Sequence, residues 1–186
     1  VSDACREHDI LLIADEVMTG YGRTGLKFGH QHFPFHPDVI VGGKGLGGGY
    51  QPIGAFLAHD KIVSALEKGS GLLKHGHTYA GHTMACAAAL AVQEAIEEEN
   101  LLARVRDLSG KLRARLNDAF GQHPHIGDIR GRGLFIGLEL VADRETKQAF
   151  DPADKKWLKF RKAGMAEGLI TYPAGGCIDG KSGDHI

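Results

Sequence analysis

The chain has 186 residues, of which 42% are hydrophobic and 24% charged, as is typical of globular proteins with a buried core. Its formal net charge is −1, with basic and acidic residues interspersed, so electrostatics give no case for binding nucleic acid or a membrane surface. Its longest apolar runs, such as residues 85–92, are far too short to span a bilayer.

The cysteines indicate the cellular compartment. Cys5, Cys86 and Cys177 are odd in number and widely separated, which argues against a disulfide framework. A reducing compartment fits this usage, and we expect a cytoplasmic protein.

The first strong pattern ends in two carboxylates. Residues 4–8 predict the end of a helix, and residues 10–14 (Ile-Leu-Leu-Ile-Ala) form a continuous apolar run. Such a run is typical of a strand covered on both faces, as in parallel sheets. Asp15 and Glu16 follow directly, so both carboxylates are expected at the C-terminal end of this strand.

The second pattern carries a lysine. Residues 39–41 (Val-Ile-Val) predict a short buried strand, and six glycines among residues 42–49 surround Lys44. Glycine allows positive φ and lets a ligand or another chain segment come close. A lysine held where water is scarce can lose its proton and act as nucleophile and base. A flexible loop with a solvated lysine is the alternative.

Asp15 and Lys44 form a candidate pair. Both lie at or just past the C-terminal ends of apolar strands, the edge at which open α/β sheets bind ligands. A carboxylate and an amine at that edge could contact one ligand from two sides. An Asp–Lys ion pair without a ligand is the alternative interpretation.

The remaining elements favour an α/β layout followed by a smaller α+β unit. A strand is predicted at residues 53–58, and Asp60 is the expected N-cap of a helix at residues 61–68. Further elements are predicted as helix 83–96, helix 101–120, strand 129–140, helix 154–167 and strand 169–172. We therefore predict two domains, at residues 1–100 and 101–186.

Other site types find little support. His30, His32 and His36 could in principle bind a metal, but no carboxylate or cysteine stands at ligand spacing. We predict solvated loop histidines and no metal site. Lys44 does not belong to a phosphate-binding P-loop, because the required earlier glycine is missing and Gly45 follows the lysine.

Three motifs together resemble the class III (ω-type) aminotransferases, which are pyridoxal-phosphate enzymes of fold type I. They are residues 12–25 (Leu-Ile-Ala-Asp-Glu-Val-Met-Thr-Gly-Tyr-Gly-Arg-Thr-Gly), 43–49 (Gly-Lys-Gly-Leu-Gly-Gly-Gly) and 77–82 (His-Thr-Tyr-Ala-Gly-His). Their order and spacing agree with the family. Residues 130–134 (Arg-Gly-Arg-Gly-Leu) resemble the start of its C-terminal domain.

The resemblance implies a role for four residues. Lys44 matches the lysine that forms the internal aldimine with pyridoxal 5′-phosphate, and Asp15 matches the aspartate that pairs with the pyridine nitrogen. Val17 matches the apolar residue packed on the ring, and two residues beyond Asp15 it is expected on the same side of an extended strand. Thr78 matches the threonine that reaches the phosphate of the cofactor held by the other subunit, which implies a homodimer.

The implied activity is transfer of an amino group from an amine or amino acid to a keto acid. A racemase, aminomutase or decarboxylase of the same cofactor class remains open, as does a non-catalytic domain. Gly43 stands where the family commonly has alanine, and Thr83 where it commonly has proline. Neither change removes a functional group.

The resemblance also implies that further family residues are missing from this chain. Residues that cup the phosphate and stack on the ring would precede Val1, and the arginine that handles substrate carboxylates would follow Ile186. We expect an internal piece of a longer polypeptide, inactive alone: the C-terminal part of a mixed-sheet large domain and most of a small one.

Overall fold

The structure is a computed structural model that describes all residues from 1 to 186. It divides into two compact units, Val1–Asp107 and Leu108–Ile186, whose boundary falls inside a long helix. The domains expected at residues 1–100 and 101–186 stay a prediction. No helix combines the length and the apolar character that a membrane crossing requires.

The first unit is built on a three-stranded mixed sheet. Its strands are β1 (Ile13–Asp15), β2 (Val39–Gly42) and β3 (Ala55–Ala58), in the order β1-β2-β3. β1 and β2 are parallel, with Asp15 opposite Val41, whereas β2 and β3 are antiparallel. The parallel pairing brings the C-terminal ends of β1 and β2 to one edge of the sheet.

β1 is shorter and more open than its apolar sequence predicted. Only three residues pair, and Ile10, Leu11 and Ile13 are all more than half exposed. The expectation of a strand covered on both faces is therefore wrong for this chain, because no helix or strand of the unit lies over these side chains. Val39, in the central strand β2, is buried.

Asp38 fixes the start of β2. One of its carboxylate oxygens accepts the Leu12 N–H at 2.8 Å, and the other pairs with Lys61 Nζ at 2.5 Å. The hydrogen bond from Lys61, followed by that from Leu12, holds the pKa of Asp38 below its ordinary value. Asp38 thus joins β2 to the segment before β1 and to the second helix.

Four helices belong wholly or partly to this unit: α1 (Ser2–Glu7), α2 (Asp60–Lys68), α3 (Thr83–Glu98) and α4 (Leu101–Phe120). The predicted N-cap of α2 was wrong by one residue. His59, not Asp60, is the cap, and its Nδ1 accepts the Lys61 N–H at 3.1 Å. His82 caps α3 in the same way by accepting the Ala85 N–H at 3.2 Å.

The second unit holds a four-stranded sheet and one helix besides the end of α4. The strands β4 (Ile126–Arg132), β5 (Phe135–Leu140), β6 (Ala174–Gly175) and β7 (Asp184–His185) are ordered β4-β5-β7-β6, and all neighbours are antiparallel. Helix α5 spans Lys156–Ala166. Val141 and Ile126 are the buried hydrophobic residues of this unit.

Two predicted strands of this unit were wrong. The strand expected at residues 129–140 is a hairpin, whose chain reverses between Arg132 and Phe135. Gly131 and Gly133 adopt φ of +134° and +59°, so these two glycines mark the reversal. Residues 169–172 form no strand, because no other segment pairs with them, and Tyr172 is 95% exposed.

Candidate functional site

The structure brings Asp15 and Lys44 to the same edge of the first sheet. Asp15 is the last residue of β1, and its neighbour Val41 lies just before the end of β2, from which Lys44 follows. Both side chains are exposed, and they form no ion pair with each other. The carboxylate and the amine are therefore available to a ligand at this edge.

Lys44 lies in an ordered turn. It begins a short 3₁₀ helix, Lys44–Leu46, in which the Leu46 N–H donates to Gly43 O at 2.9 Å and the Gly47 N–H donates to Lys44 O at 3.2 Å. The flexible loop considered above is thus not what the structure shows. The Lys44 side chain itself is exposed in this chain.

Val17 lies beside the lysine turn, but not for the predicted reason. β1 ends at Asp15, and a helical turn follows in which the Gly20 N–H donates to Glu16 O at 2.8 Å. The Val17 N–H donates to Asp15 Oδ1 at 3.0 Å, which leaves Oδ2 free. A Cβ added to Gly43 would lie 3.8 Å from a Val17 methyl group. A turn, not an extended strand, therefore places Val17 next to Asp15 and Gly43.

Tyr21 packs against the strand that leads to Lys44. Its backbone is left-handed, with φ of +57°, and its ring contacts the Phe28 ring edge-on at 5.4 Å between centroids. A Cβ on Gly42 would overlap the Tyr21 hydroxyl oxygen and lie 2.9 Å from a ring carbon. Burial raises the pKa of the Tyr21 hydroxyl. Gly42 is thus required by the close approach of an aromatic ring.

This packing predicts that alanine substitution changes stability at Gly42 but not at the neighbouring Gly43. Gly42→Ala is expected to destabilise the protein by about 1–3 kcal/mol, because the new methyl group must displace the Tyr21 ring. Gly43→Ala is the matched control, since its Cβ would lie 3.6 Å from the nearest atom. Urea unfolding measures both variants. Equal unfolding midpoints would contradict the contact.

A buried carboxylate lies directly behind Asp15. Glu16 is only 3% exposed, and both of its oxygens are fully engaged. Oε1 accepts the His30 N–H at 2.7 Å and contacts His30 Nδ1 at 3.0 Å. Oε2 accepts the Gly29 N–H at 2.8 Å and the Thr19 hydroxyl. Glu16 therefore ties the end of β1 to the segment at residues 29–30.

The environment keeps Glu16 ionised. Burial by itself would raise the pKa of this carboxyl, but the hydrogen bonds from Thr19, His30 and Gly29 outweigh it and lower the pKa below its ordinary value. From the sequence, Glu16 is predicted only as a second carboxylate at the strand end. Its place one residue after Asp15 was the available signal, because neighbouring side chains at a strand end point to opposite faces, which turns Glu16 away from Asp15.

The three loop histidines differ from one another. The His30 side chain is only 9% exposed and bonds to Glu16, so the prediction of a solvated side chain is wrong there. His32 is half-buried, and its Nε2 is buried without a hydrogen-bond partner, whereas His36 is exposed. No group of three or more His, Cys, Asp or Glu side chains is arranged to hold a metal ion.

Thr78 lies apart from the other candidates along the chain, in an exposed turn before α3. The turn is closed by the Ala80 N–H donating to His77 O at 2.9 Å and the His82 N–H donating to Tyr79 O at 3.0 Å. The structure thus brings together Asp15, Val17 and Lys44. It shows no contact between Thr78 and these three residues.

Comparisons with known proteins agree with the resemblance drawn from the motifs. The family model described as "Aminotransferase class-III" matches residues 1–178. The uncharacterized aminotransferase YodT of Bacillus subtilis (strain 168) is 40% identical over the whole chain, which covers 42% of that protein. The diaminobutyrate–2-oxoglutarate transaminase of Halomonas elongata is 40% identical over 168 residues, 89% of this chain and 36% of that protein.

A solved structure confirms the fold. An amine transaminase from an uncultivated Pseudomonas species, described as being in the PLP-bound (internal aldimine) form, superimposes with a TM-score of 0.89 at 36% identity. The superposition covers 98% of this chain and 41% of that one. The predicted fold class, the mixed α/β fold of type I transaminases, is therefore correct. The chain spans about two fifths of the length of the proteins it matches.

Proposed function

Since the chain belongs to the class-III aminotransferase family, we propose that it moves an amino group from an amine or amino acid to a keto acid. The family uses pyridoxal 5′-phosphate, and we extend this cofactor to the present chain. One observation carries the proposal: an amine, a carboxylate and an apolar side chain meet at the shared end of β1 and β2.

The residues at this edge fit the cofactor. Asp15 Oδ2 accepts no hydrogen bond within the chain, so it is available to a protonated ring nitrogen. The Val17 methyl groups offer an apolar contact, and the Lys44 amine is free of ion pairs. A Cβ at Gly43 would make only ordinary contacts, since its nearest neighbours would be Ile53 O at 3.6 Å and the Val17 methyl groups at 3.8–3.9 Å.

Each residue has a defined task in the proposed reaction. Pyridoxal phosphate, when bound, supplies an electrophilic carbon and a ring that accepts electrons. Lys44 would hold it covalently through Nζ, and the free amine would move a proton to and from the substrate. Asp15 would hold the proton on the ring nitrogen. Val17 would offer an apolar side chain to the ring.

A second copy of the chain completes the proposal. Thr78 would donate its hydroxyl to the phosphate of a cofactor held by the partner in a homodimer. Large apolar side chains on either side of Thr78 are more than half exposed, as an interface would require: Leu72, Leu73, Tyr79 and Met84. Sedimentation velocity tests this, and a monomer at every protein concentration would contradict it. The three free cysteines fit the cytoplasmic location that we also propose.

Covalent trapping tests the site. The purified protein is mixed with pyridoxal phosphate, reduced with borohydride, digested and analysed by mass spectrometry. The pyridoxyl group is expected on the peptide that contains Lys44. Equal labelling of exposed lysines such as Lys68 would contradict the proposal. Formation of alanine from pyruvate and a set of primary amines then tests amino transfer itself.

Asp15→Asn gives the matched test of the carboxylate. Asparagine keeps the size and the bond from Val17 but cannot stabilise a proton on the ring nitrogen. We expect the amino-transfer rate to fall by about 10²-fold or more, as for loss of a charged group that acts on a proton. Trapping at Lys44 should persist. Steady-state kinetics measure the loss, and an unchanged rate would refute the role of Asp15.

A further inference from the structure

The turn that carries Lys44 contains a strained backbone conformation. Lys44 has φ of +43°, in the left-handed region that residues with a side chain avoid. Its 3₁₀ helix is a single turn of three residues, closed by two backbone hydrogen bonds, from the Leu46 N–H to Gly43 O at 2.9 Å and from the Gly47 N–H to Lys44 O at 3.2 Å. Such a conformation persists only where surrounding contacts impose it.

Helix α3 supplies these contacts. Gln93, which is half-buried on α3, directs its Nε2 atom to Leu46 O at 3.0 Å and to Gly45 O at 3.4 Å. Val92 lies against the same turn, since a Cβ on Gly48 would be 3.2 Å from its methyl group. The two carbonyls that directly follow Lys44 are therefore bonded by one side-chain amide.

The chemistry of this contact fits glutamine well. Both turn atoms are acceptors, and the amide nitrogen carries two N–H donors, so its orientation is fixed by the two carbonyl oxygens. Methionine would match its length without a donor. Glutamate would place a charged oxygen against the carbonyl oxygens of Gly45 and Leu46. Lysine would restore a donor on a flexible stem.

We propose that Gln93 is a positioning residue for Lys44. It ties the strained turn to α3 and thereby holds the amine at the edge of the sheet next to Asp15. The inference rests on the proposed function only for the identity of the group that reacts with the amine. The tie between helix and turn is independent of any cofactor.

The test measures the lysine without a cofactor. Reductive methylation with formaldehyde and cyanoborohydride, followed by mass spectrometry, gives the rate at Lys44 relative to Lys68 in the same molecule. Hydrogen exchange reports the Gly47 N–H, which donates to Lys44 O. For Gln93→Met we expect the Lys44-to-Lys68 methylation ratio and the exchange rate of the Gly47 N–H each to change by about fivefold or more, which is the effect of losing a buried hydrogen bond. Glu94→Gln, one residue further along α3 and exposed, is the control.

Two further variants separate positioning from mere stability. Gln93→Glu should change the Lys44-to-Lys68 ratio more than Gln93→Met does. Gln93→Lys should return this ratio toward that of the unsubstituted protein. A ratio that is unchanged in Gln93→Met, or that Glu94→Gln changes equally, would overturn the inference. A Gln93→Lys variant with the same Lys44-to-Lys68 ratio as Gln93→Met would also overturn it. If Gln93→Met unfolds, a Gln93→Lys variant that unfolds as well would overturn it too.

The same experiment distinguishes the two proposals. If the methylation ratio depends on Gln93 but pyridoxal phosphate is not trapped at Lys44, the proposed function fails and the positioning role stands. If trapping occurs at Lys44 at the same rate in Gln93→Met and in the unsubstituted protein, the positioning role fails and the proposed function stands.

Discussion

Lys44→Ala is expected to abolish covalent capture of pyridoxal phosphate and to lower the amino-transfer rate by about 10⁴-fold or more. The variant loses both tasks assigned to the amine, covalent anchoring and proton transfer, and the second alone typically contributes 10²–10⁴-fold. Borohydride trapping and alanine formation measure the two losses separately. The fold should be retained, because the exposed side chain forms no ion pair.

Two comparison variants sharpen this prediction. Lys44→Arg keeps a positive charge, but a guanidinium stays protonated and cannot act as nucleophile or base, so it should be as inactive as Lys44→Ala. Lys68→Ala removes another exposed lysine of the same unit and should leave both readouts unchanged. Methylamine added to Lys44→Ala should restore part of the proton-transfer rate without restoring trapping.

The outcome that contradicts the assignment is specific. If Lys44→Ala retains a trapped pyridoxyl group on one defined lysine, together with amino transfer, another residue performs the chemistry. Trapping spread over several lysines without amino transfer would instead show that the edge formed by β1 and β2 is not a cofactor site.

The sequence could predict this edge because its signals are local. An apolar run ending in Asp15 and a β-branched run leading to Lys44 each mark a strand end, and parallel pairing of two such strands brings their ends together. The fold class followed from the same runs and from the motifs. The strand bounds did not, because pairing partners decide where a strand stops.

The contacts that support the site could not be predicted, because they join residues far apart in sequence. Glu16 bonds to His30 across 14 positions, and Gln93 bonds to Leu46 across 47. A histidine in a polar loop and a glutamine on an alanine-rich helix carry no local signal of such partners. The same applies to residues 169–172, whose apolar sequence favours a strand but which have no neighbouring strand with which to pair.

Glu16→Gln is expected to destabilise the first unit by about 3 kcal/mol at neutral pH. The amide keeps the shape of the side chain. Its NH₂ group, however, would face an N–H or hydroxyl donor that is bonded to a Glu16 carboxylate oxygen in the unsubstituted protein. Loss of charge-assisted bonds together with a buried donor left unpaired accounts for this magnitude. The Gly29 and His30 amides should exchange with solvent faster in the variant.

The destabilisation caused by Glu16→Gln is expected to depend on pH. The pKa of Glu16 is lower in the folded protein than its ordinary value, so the folded state favours the ionised carboxyl. Its stabilisation is therefore complete above the ordinary value of the unfolded chain and is lost as the pH falls through the lower folded value. Glu16→Gln cannot lose this contribution, so the difference in unfolding free energy between the two proteins should shrink in acid.

Urea unfolding at a series of pH values measures that difference, and Glu94→Gln on the exposed face of α3 controls for loss of a negative charge. The expected pattern is a large gap at neutral pH that closes in acid for Glu16→Gln, and no gap for Glu94→Gln. Because Asp15 precedes Glu16 directly, the same variant should also weaken capture of pyridoxal phosphate at Lys44 while Asp15 itself is unchanged. A gap that stays constant across the pH series would show that packing, not the charged hydrogen bonds of Glu16, holds the end of β1 in place.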